Sequence, residues 1–339
     1  MEKTAHRSSL LPIGAKYPWL APLAGFSDLP FRLLCREMGC AVACTEMISA
    51  KGLMYQSPGT TDLLHTCVQD QPLVVQLFGS EVEVIADAIS WLQEQGYVYF
   101  DLNAGCPVRK VVKTGAGAGL LRDPENLMAI LARMVDIVGP RRVGVKLRSG
   151  WHSGQEILRW INALESLELG WIGLHPRTAK QGYAGRADWN ILDTVSRKTD
   201  LPVVASGDLI TARDGLRCIQ STAVSGVMFA RGALADPGIF AVYLQAQEGQ
   251  DGWHSHPGED KKRVLRTARR HIALIRKYGR DGSDLLKMRT MIPRYLRGFH
   301  GVKAIRQRVV GCTSWQELLD CLDELKGPKL PVHDSWTEE

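Results

Sequence analysis

The sequence lacks a long hydrophobic run: its longest stretch without Asp, Glu, Lys or Arg, residues 218–230, has only 13 residues. A membrane-spanning helix needs about 20 apolar residues, so we expect no membrane segment and no membrane partner. The first 18 residues also lack the apolar core of a secretory signal. We therefore predict a cytoplasmic protein.

Paired cysteine motifs are missing as well. None of the eight cysteines shows C-x-x-C spacing, and no group of Cys and His has the spacing of a zinc finger. A chain of 339 residues does not need disulfides to stabilise its core. We expect free thiols in a reducing compartment and no metal site.

Acidic residues are scarce in one part of the chain, residues 261–311, which we call the basic segment. It contains 16 Lys or Arg but only Asp281 and Asp284 as acids, so its net charge is +14. The whole chain has a formal net charge of +6, so the other residues sum to −8. Such a segment is typical of a module that binds a polyanion, and we favour nucleic acid. A solvated helix face held by salt bridges is the alternative, and an anionic membrane surface is a weaker one.

Strict alternation of polar and apolar residues is absent from the short apolar runs in the first 250 residues, as expected for strands buried on both faces. Helical patterns separate these runs, and eight βα units over about 230 residues predict a (β/α)8 TIM barrel. A doubly wound sheet is the competing fold, but no G-x-G-x-x-G follows the first run. The predicted strands are residues 19–23, 41–47, 73–78, 99–103, 142–147, 171–175, 202–206 and 226–230.

The pattern changes after residue 250, where long helical stretches follow a segment rich in Gly, His and Asp. We predict a smaller all-helical domain after the barrel, in a monomeric protein. Predicted helix starts are the capping boxes Ser80 with Glu83 and Thr211 with Asp214, and the N-cap Asp123 before Pro124. The predicted boundaries are a flexible N-terminal tail (1–18), a barrel (19–248), a linker (249–259), a basic helical RNA-binding domain (260–330) and a C-terminal tail (331–339).

Carboxylates are rare where the predicted strands end, since only Glu46 and Asp208 occur there. Hydrolysis by paired carboxylates is therefore not expected. In a TIM barrel the active site lies at these strand ends, and a phosphate commonly binds in the loops after strands seven and eight. Here those loops are residues 206–208 and 230–232. Their backbone N–H groups and the Arg231 guanidinium would hold a phosphate.

Other predicted strand ends carry polar side chains suited to a flavin. Lys146 can stabilise negative charge on a reduced flavin ring, and Gln76 can bond the ring's pyrimidine edge. Each residue also has a plainer interpretation: Lys146 could form a Schiff base or a structural ion pair, and His175 could be a core histidine. Cys106 could be an inert thiol. However, it lies in a Gly-Cys-Pro turn just after a strand, which packing alone does not require.

Two stretches resemble the signature of the tRNA-dihydrouridine synthases: DLNAGCPVRK at 101–110 and KTGAGAGLL at 113–121. APLAGFSD at 21–28, VKLRSGW at 145–151, HPRT with QGY within 175–183, and SGD at 206–208 follow in the family's order and spacing. The resemblance covers roughly residues 18–245. The combination of motifs is highly specific, and the B-type bacterial branch is the most similar.

This resemblance implies a barrel that binds FMN non-covalently and a helical domain that clasps tRNA. It further implies that uridine is converted to 5,6-dihydrouridine, with hydride passing from reduced FMN to uracil C6, a proton from Cys106 to C5, and NADPH as reductant. A cysteine that is protonated at neutral pH suits the role of the acid. A stacked uracil must be extruded to reach such a site, at a cost of about a few kcal/mol.

The resemblance also implies individual contacts. Those to FMN are Pro22, Leu23, Ala24, Gln76, Asn103, Lys146, His175, Ser206, Gly207, Asp208, Ala230 and Arg231. We expect substrate or RNA contacts from Asn103, Lys113, Arg177, Arg294 and Arg297. The sequence departs from the family pattern where Leu23 replaces Met, Ser206 replaces Asn, Ala230 replaces Gly and Pro176 replaces Gly. These departures leave open the Ser206 side-chain contact and the shape of the phosphate loop.

Two other classes of protein stay open at this point. One is a TIM-barrel FMN oxidoreductase that acts on a small enone or pyrimidine, which leaves the basic segment unexplained. The other is a catalytically inactive RNA-binding protein. Such a protein has no reason to retain Cys106, Lys146 and the phosphate loops together.

Overall fold

The computed structural model describes residues 10–249, 261–279, 283–299 and 301–326. The chain divides into two compact units, one of residues 1–233 with 237–253 and one of residues 234–236 with 254–339. Most of the predicted linker and all of the predicted C-terminal tail lie outside the described residues. The predicted division of the chain into five segments therefore stays a prediction.

A closed barrel of parallel strands forms the first unit, which confirms the predicted TIM barrel. Most strand residues are buried on both faces, which explains the lack of alternation in the sequence. In the described residues the strands are β1 (Trp19–Leu20), β2 (Val42–Cys44), β3 (Ile48–Ser49), β4 (Leu73–Phe78), β5 (Tyr99–Ala104), β6 (Val143–Gly150), β7 (Trp171–Thr178), β8 (Val203–Ala205) and β9 (Gly226–Phe229). β1 pairs with β2 and β9, and β2 also pairs with β4, which closes the barrel. The short β3 pairs with β4 beside this wall of eight strands.

Helices alternate with the strands, and capping residues set several of their starts. Asp123 Oδ1 accepts the N–H of Asn126 at 3.1 Å, and Thr211 with Asp214 forms the predicted capping box. The described α-helices are α1 (Leu29–Glu37), α2 (Ala50–Met54), α3 (Val82–Glu94), α4 (Arg109–Val112), α5 (Pro124–Val138), α6 (Ile157–Ser166), α7 (Trp189–Lys198), α8 (Ala212–Ser221), α9 (Arg231–Ala235), α10 (Ile239–Gln247), α11 (Lys261–Tyr278), α12 (Ser283–Tyr295), α13 (Lys303–Gly311) and α14 (Trp315–Asp323).

The prediction that Ser80 and Glu83 form a capping box is wrong. The helix α3 begins at Val82, and its N-cap Glu81 makes no side-chain cap hydrogen bond. Ser80 Oγ instead donates to Thr114 O at 2.6 Å. The Ser80 hydroxyl therefore bonds a carbonyl 34 residues further along the chain and does not cap the helix.

Two tryptophans fill the end of the barrel at which the strands begin. Trp19 and Trp171 are fully buried, and their rings meet edge to face with centroids 5.5 Å apart. Gly144 on β6 makes room for them, since a Cβ there would lie 2.0 Å from the Trp171 ring. This end is packed with apolar side chains, so polar chemistry belongs at the opposite end of the strands.

Residues 10–18, which the sequence assigns to the flexible tail, pack against this tryptophan end. Leu11 is buried in the same apolar cluster as Trp19. Trp19 Nε1 donates to Pro12 O at 3.1 Å. These contacts hold the segment against the barrel.

The second unit contains α11 to α14 around an apolar core. The inward face of α11 carries buried apolar residues: Leu265, Ile272, Leu274 and Ile275. Arg294 and Arg297 are exposed at the end of α12 and just beyond it. None of the helices in the described ranges is both long and apolar enough to cross a membrane.

Three arginines of the basic segment pair with acids that lie outside it in the sequence. Arg263 pairs with Asp236 at 2.6 Å, Arg269 pairs with Asp323, and Arg308 pairs with Glu324 at 2.6 Å. These acids are 25 residues before the segment and about a dozen after it. A count of charges within the segment alone does not include them.

Candidate active site

We call the C-terminal ends of the barrel strands the barrel mouth. Just beneath it, three side chains of two neighbouring strands are joined by hydrogen bonds. Gln76 on β4 is the register partner of Asp101 on β5, and Asn103 follows Asp101 on the same strand face. Gln76 Nε2 donates to Asp101 Oδ2 at 2.6 Å, and Asn103 Nδ2 donates to Gln76 Oε1 at 2.8 Å. Trp171 Nε1 donates to Asp101 Oδ1 at 3.1 Å. Burial raises the pKa of Asp101 to about 6, although these donors and Lys146 favour its charged form.

The loop that carries Cys106 is held from several sides. Asn103 Oδ1 accepts the N–H of Cys106 at 2.9 Å and that of Gly105 at 3.1 Å. Arg148 Nε donates to Gly105 O at 2.9 Å. A Cβ at Gly117, whose φ is +59°, would lie 2.8 Å from Cys106 O, so the next turn packs closely against this loop. Cys106 itself is partly exposed, so its backbone is held in place while the residue stays accessible to solvent.

Lys146 stands on β6 beside Asn103, its register partner on β5. Burial lowers the pKa of Lys146, whereas the neighbouring Asp101 and Cys106 favour its charged form. Within the described residues its ammonium makes no hydrogen bond. The cation can therefore bind a ligand that enters the mouth.

His175 and Arg177 form a tightly packed pair at the end of β7. Arg177 Nη1 lies 3.2 Å from His175 Nε2, and Arg177 Nη2 donates to Asp208 Oδ2 at 2.8 Å. Arginine can only donate, so Nε2 of His175 carries no proton. Burial, followed by nearby cations such as Lys146, lowers the pKa of His175 to about 2. Gly207 has a φ of +102°, and a Cβ there would lie 2.6 Å from His175 Cδ2.

The loops after β8 and β9 carry groups suited to a phosphate. Ser206 Oγ has no hydrogen-bond partner among the described residues, and Ala230 leads into Arg231, whose side chain is 50% exposed. Arg231 Nη2 donates to Asp208 Oδ1 at 3.0 Å. Although burial raises it, the pKa of Asp208 is held below its usual value by the N–H of Ala187 and by the two arginines. Asp208 therefore orients Arg231, and its predicted contact with FMN stays a prediction.

The turn after β1 closes another side of the mouth. Pro22 and Leu23 are partly buried and Ala24 is exposed. Leu23 N donates to Ser27 Oγ at 2.9 Å, which fixes the turn, and Gly25 N donates to Glu46. The backbone of this turn is thus held in a defined position at the rim.

Two predicted contacts already have partners within the protein. Arg177 is 2% exposed, and its guanidinium bonds His175, Asp208 and two loop carbonyls. Gln76 is fully buried, and each end of its amide makes one hydrogen bond below the mouth. The predicted contacts of Arg177 with RNA and of Gln76 with FMN stay predictions. By contrast, Lys113 is exposed just after α4, as an RNA contact requires.

Sequence reasoning missed Asp101, Arg148 and Tyr183. Tyr183 is 63% exposed, with the guanidinium carbon of Arg148 5.4 Å from the centre of its ring and that of Arg231 5.7 Å away. For Asp101 and Arg148 the sequence contained a usable signal, because residues two apart in a strand lie on the same face. Asp101 lies two residues before Asn103, and Arg148 lies two residues after Lys146.

Cations outnumber carboxylates at the mouth among the described residues. The four cations are Lys146, Arg148, Arg177 and Arg231, and the three carboxylates are Asp101, Asp208 and Glu46. In the part of the chain that the structure describes, no group of His, Cys, Asp and Glu could hold a metal ion. The site can bind an anionic group, stabilise developing negative charge and present a thiol.

Comparisons with known proteins point to one family. The family model described as dihydrouridine synthase (Dus) matches residues 19–327. A probable tRNA-dihydrouridine synthase of Treponema pallidum is 32% identical over 325 residues, which cover 92% of this chain and 94% of that protein. The tRNA-dihydrouridine synthase B of Xanthomonas axonopodis pv. citri is 31% identical over 225 residues, 65% of this chain and 67% of that protein. Among solved structures, histamine dehydrogenase from Rhizobium sp. 4-9 has a TM-score of 0.50 at 12% identity, covering 76% of this chain and 49% of that one, which supports the fold alone.

Proposed function

This chain belongs to the dihydrouridine synthase family, and from that premise we propose that it reduces uridine in tRNA to 5,6-dihydrouridine with a bound FMN. The observation that carries the proposal is the placement of Cys106. Its loop is fixed by Asn103, it is partly exposed at the barrel mouth, and it lies near the cation of Lys146. A thiol acid beside a cation is the constellation that reduction of a uracil double bond requires.

Two observations support FMN as the cofactor. Ser206 Oγ has no partner among the described residues, and Gly207 leaves beside His175 a space that any side chain would fill. Ser206, Arg231 and the backbone N–H groups of the phosphate loops would hold the phosphate. Lys146, His175 and the backbone of residues 22–24 would hold the ring. When bound and reduced, FMN supplies the hydride that uracil C6 receives.

Cys106 supplies the proton that uracil C5 receives. The positive charges of Lys146 and Arg148 lie close enough to interact with its sulfur. They stabilise the thiolate that is left after the proton departs, and they stabilise negative charge on the uracil carbonyls. Because Cys106 is partly exposed, solvent can return its proton before the next turnover.

The substrate must bring an extruded uridine to the mouth, so binding energy has to come from contacts to the RNA backbone. Exposed cations suited to these contacts are Lys113 beside the mouth and Arg294 and Arg297 on the second unit. The names of the relatives support tRNA as the RNA. We further propose NADPH as the reductant and a monomeric, cytoplasmic enzyme.

The test is incubation of unmodified tRNA with the protein, FMN and NADPH, followed by nucleoside mass spectrometry. We expect dihydrouridine, and we expect Cys106→Ala to slow its formation by about 100-fold or more. Reduction of the flavin by NADPH should stay normal, because the thiol acts after hydride transfer. Cys67→Ala, another partly exposed cysteine, should retain full activity. Full activity in the Cys106 variant, or reduction of small enones without reduction of tRNA, would contradict the proposal.

A further inference from the structure

The proposed chemistry does not use the carboxylate of Asp101, a polar group buried deep in the barrel. Asp101 is 2% exposed. Within the described structure its hydrogen bonds come from Gln76 Nε2 at 2.6 Å and Trp171 Nε1 at 3.1 Å. A buried carboxylate is costly to maintain unless its oxygens are bonded. Its place in the structure therefore needs a reason.

In the hydrogen bonds that join the Cys106 loop to Asp101, each group donates to the next one toward Asp101. The N–H groups of Gly105 and Cys106 can only donate, so Asn103 must turn Oδ1 toward them and Nδ2 toward Gln76. Gln76 must then accept with Oε1 and donate with Nε2. Asp101 is a carboxylate and can only accept, so it too requires Gln76 to present Nε2 as the donor. We call Asp101, Gln76 and Asn103 the amide relay.

We infer that Asp101 is a positioning residue for Cys106, acting through Gln76 and Asn103. The inference rests on the proposed function, because it takes Cys106 as the acid. Trp171 anchors the carboxylate in the packed end of the barrel. The relay thereby ties the reactive loop to the rigid core across β4, β5 and β7.

The relay matters because its amides can be reversed. An Asn at position 101 has one acceptor oxygen for the two donors Gln76 Nε2 and Trp171 Nε1, and its N–H₂ can face Gln76 instead. Gln76 and Asn103 can then turn over, and Asn103 would present an N–H₂ to the N–H groups of Gly105 and Cys106. Two donors that face each other push the loop away from the mouth. A displacement of about 1 Å in a catalytic group can lower the rate by about 100-fold. We therefore expect a loss of proton delivery while the fold survives.

A second route from Asp101 to the mouth has to be separated from this one. The carboxylate also favours the charged form of Lys146. A loss that travels through Lys146 would slow flavin reduction and weaken flavin binding. A loss that travels through Gln76 and Asn103 would loosen the backbone of residues 105 and 106, which the Lys146 route leaves unchanged.

The experiment compares Asp101→Asn, Gln76→Leu, their double variant and Gln76→Glu, each as the holoenzyme with tRNA. Leu at 76 breaks the relay without changing charge. Protonated Glu at 76 would donate to Asp101 and accept from Asn103, and so reproduces the native pattern. We expect Asp101→Asn and Gln76→Leu each to slow single-turnover dihydrouridine formation by about 10- to 100-fold. The double variant should be no slower than the worse single one, and Gln76→Glu should recover to within about 5-fold of the native rate.

A second readout does not depend on activity. In native protein the amides of Gly105 and Cys106 are bonded to Asn103, so their hydrogen exchange should be slow. We expect exchange in a peptide spanning residues 103–107 to accelerate by about 10-fold in Asp101→Asn and Gln76→Leu. Exchange in residues 206–211 should be unchanged, and Gln76→Glu should exchange like the native protein.

Each possible result decides the question. Additive effects of the two single variants, or slower flavin reduction in Asp101→Asn alone, would overturn the inference in favour of the Lys146 route. Unchanged exchange at residues 105 and 106 would also overturn it. If Asp101→Asn fails to fold, equal losses in Gln76→Leu and Gln76→Glu would still refute the relay. If the unaltered protein makes no dihydrouridine, the proposed function fails, and the exchange results still test the relay.

Discussion

Gly207→Ala tests whether the loop after β8 forms the cofactor phosphate site. Gly207 has a φ of +102°, and a Cβ there would lie 2.6 Å from Cδ2 and 2.9 Å from Nε2 of His175. The ring has little freedom to retreat, since Nε2 is bonded to Arg177, which is bonded to Asp208. The added methyl must therefore displace the backbone of the loop.

The size of the effect follows from this geometry. An alanine forced to this φ is strained by about 1–3 kcal/mol. The contact must also open by about 1 Å to reach van der Waals separation. A loop moved by this amount no longer directs its N–H groups at one phosphate, so we expect FMN to bind about 10- to 100-fold more weakly. That loss is about 1.4–2.8 kcal/mol of binding free energy.

Titration of the apo protein with FMN, followed by the quenching of flavin fluorescence, measures this loss. Gly96→Ala is the matched control, because Gly96 has a φ of +88° and a Cβ there would meet nothing within 4 Å. It should lose stability through backbone strain and keep native FMN affinity. If both variants lose equal stability and Gly207→Ala still binds FMN normally, the phosphate-site assignment fails.

Lys146→Met should weaken FMN binding and slow hydride transfer by about 10- to 100-fold, because it removes the cation proposed to stabilise the reduced ring; normal flavin content and normal rates in stopped-flow measurements would make Lys146 structural. Arg294→Gln with Arg297→Gln should lower the slope of log K for tRNA against log salt by about 1–2, since two phosphate contacts are lost. A salt-independent affinity of the native protein would contradict the role in RNA binding. The pKa of His175, lowered to about 2 in the folded protein, lies below its usual value of about 6.5, so the unfolded chain binds an extra proton between these values. The stability that neutral His175 provides is therefore present above about pH 6.5 and is lost as pH falls, by up to about 1.4 kcal/mol per pH unit. Urea unfolding of the apo protein between about pH 4.5 and 7 should show this slope, and His175→Asn should flatten it; an unchanged slope in the variant would refute the shift.

The barrel could be predicted from the sequence because its signals are local. Each apolar run ends at, or within two residues of, a Gly, Asn, Ser or Pro, and the chemistry of a TIM barrel lies at those ends. Cys106 lies just after β5, and Lys146 and His175 lie within β6 and β7, close to the strand ends predicted at residues 147 and 175. The structure brings the three residues to one mouth. The sequence was sufficient to group these residues because the C-terminal ends of all parallel barrel strands lie on the same face.

The contacts beneath the mouth could not be predicted in the same way. Gln76 and Asp101 are 25 residues apart, and Asp101 and Trp171 are 70 apart. Their pairing depends on the register of neighbouring strands and on which side chain needs an acceptor. The predicted capping box at Ser80 is wrong for the same reason, because the Ser80 hydroxyl bonds Thr114 O, which is distant in the sequence. Arg177 resembled a free cation in the sequence because its acidic partner Asp208 is 31 residues away.

The basic segment shows how far a charge count can be trusted. Nucleic-acid binding was favoured over salt bridges because residues 261–311 contain only two acids, yet Arg263, Arg269 and Arg308 pair with acids from elsewhere. Including those three acids lowers the net charge from +14 to +11. A segment of this size that keeps such an excess still attracts a polyanion. The salt bridges connect segments within the second unit, whereas RNA binding should depend on exposed cations outside these pairs. For that reason the salt slope is the informative measurement, since a change in thermal stability alone would report on the paired arginines.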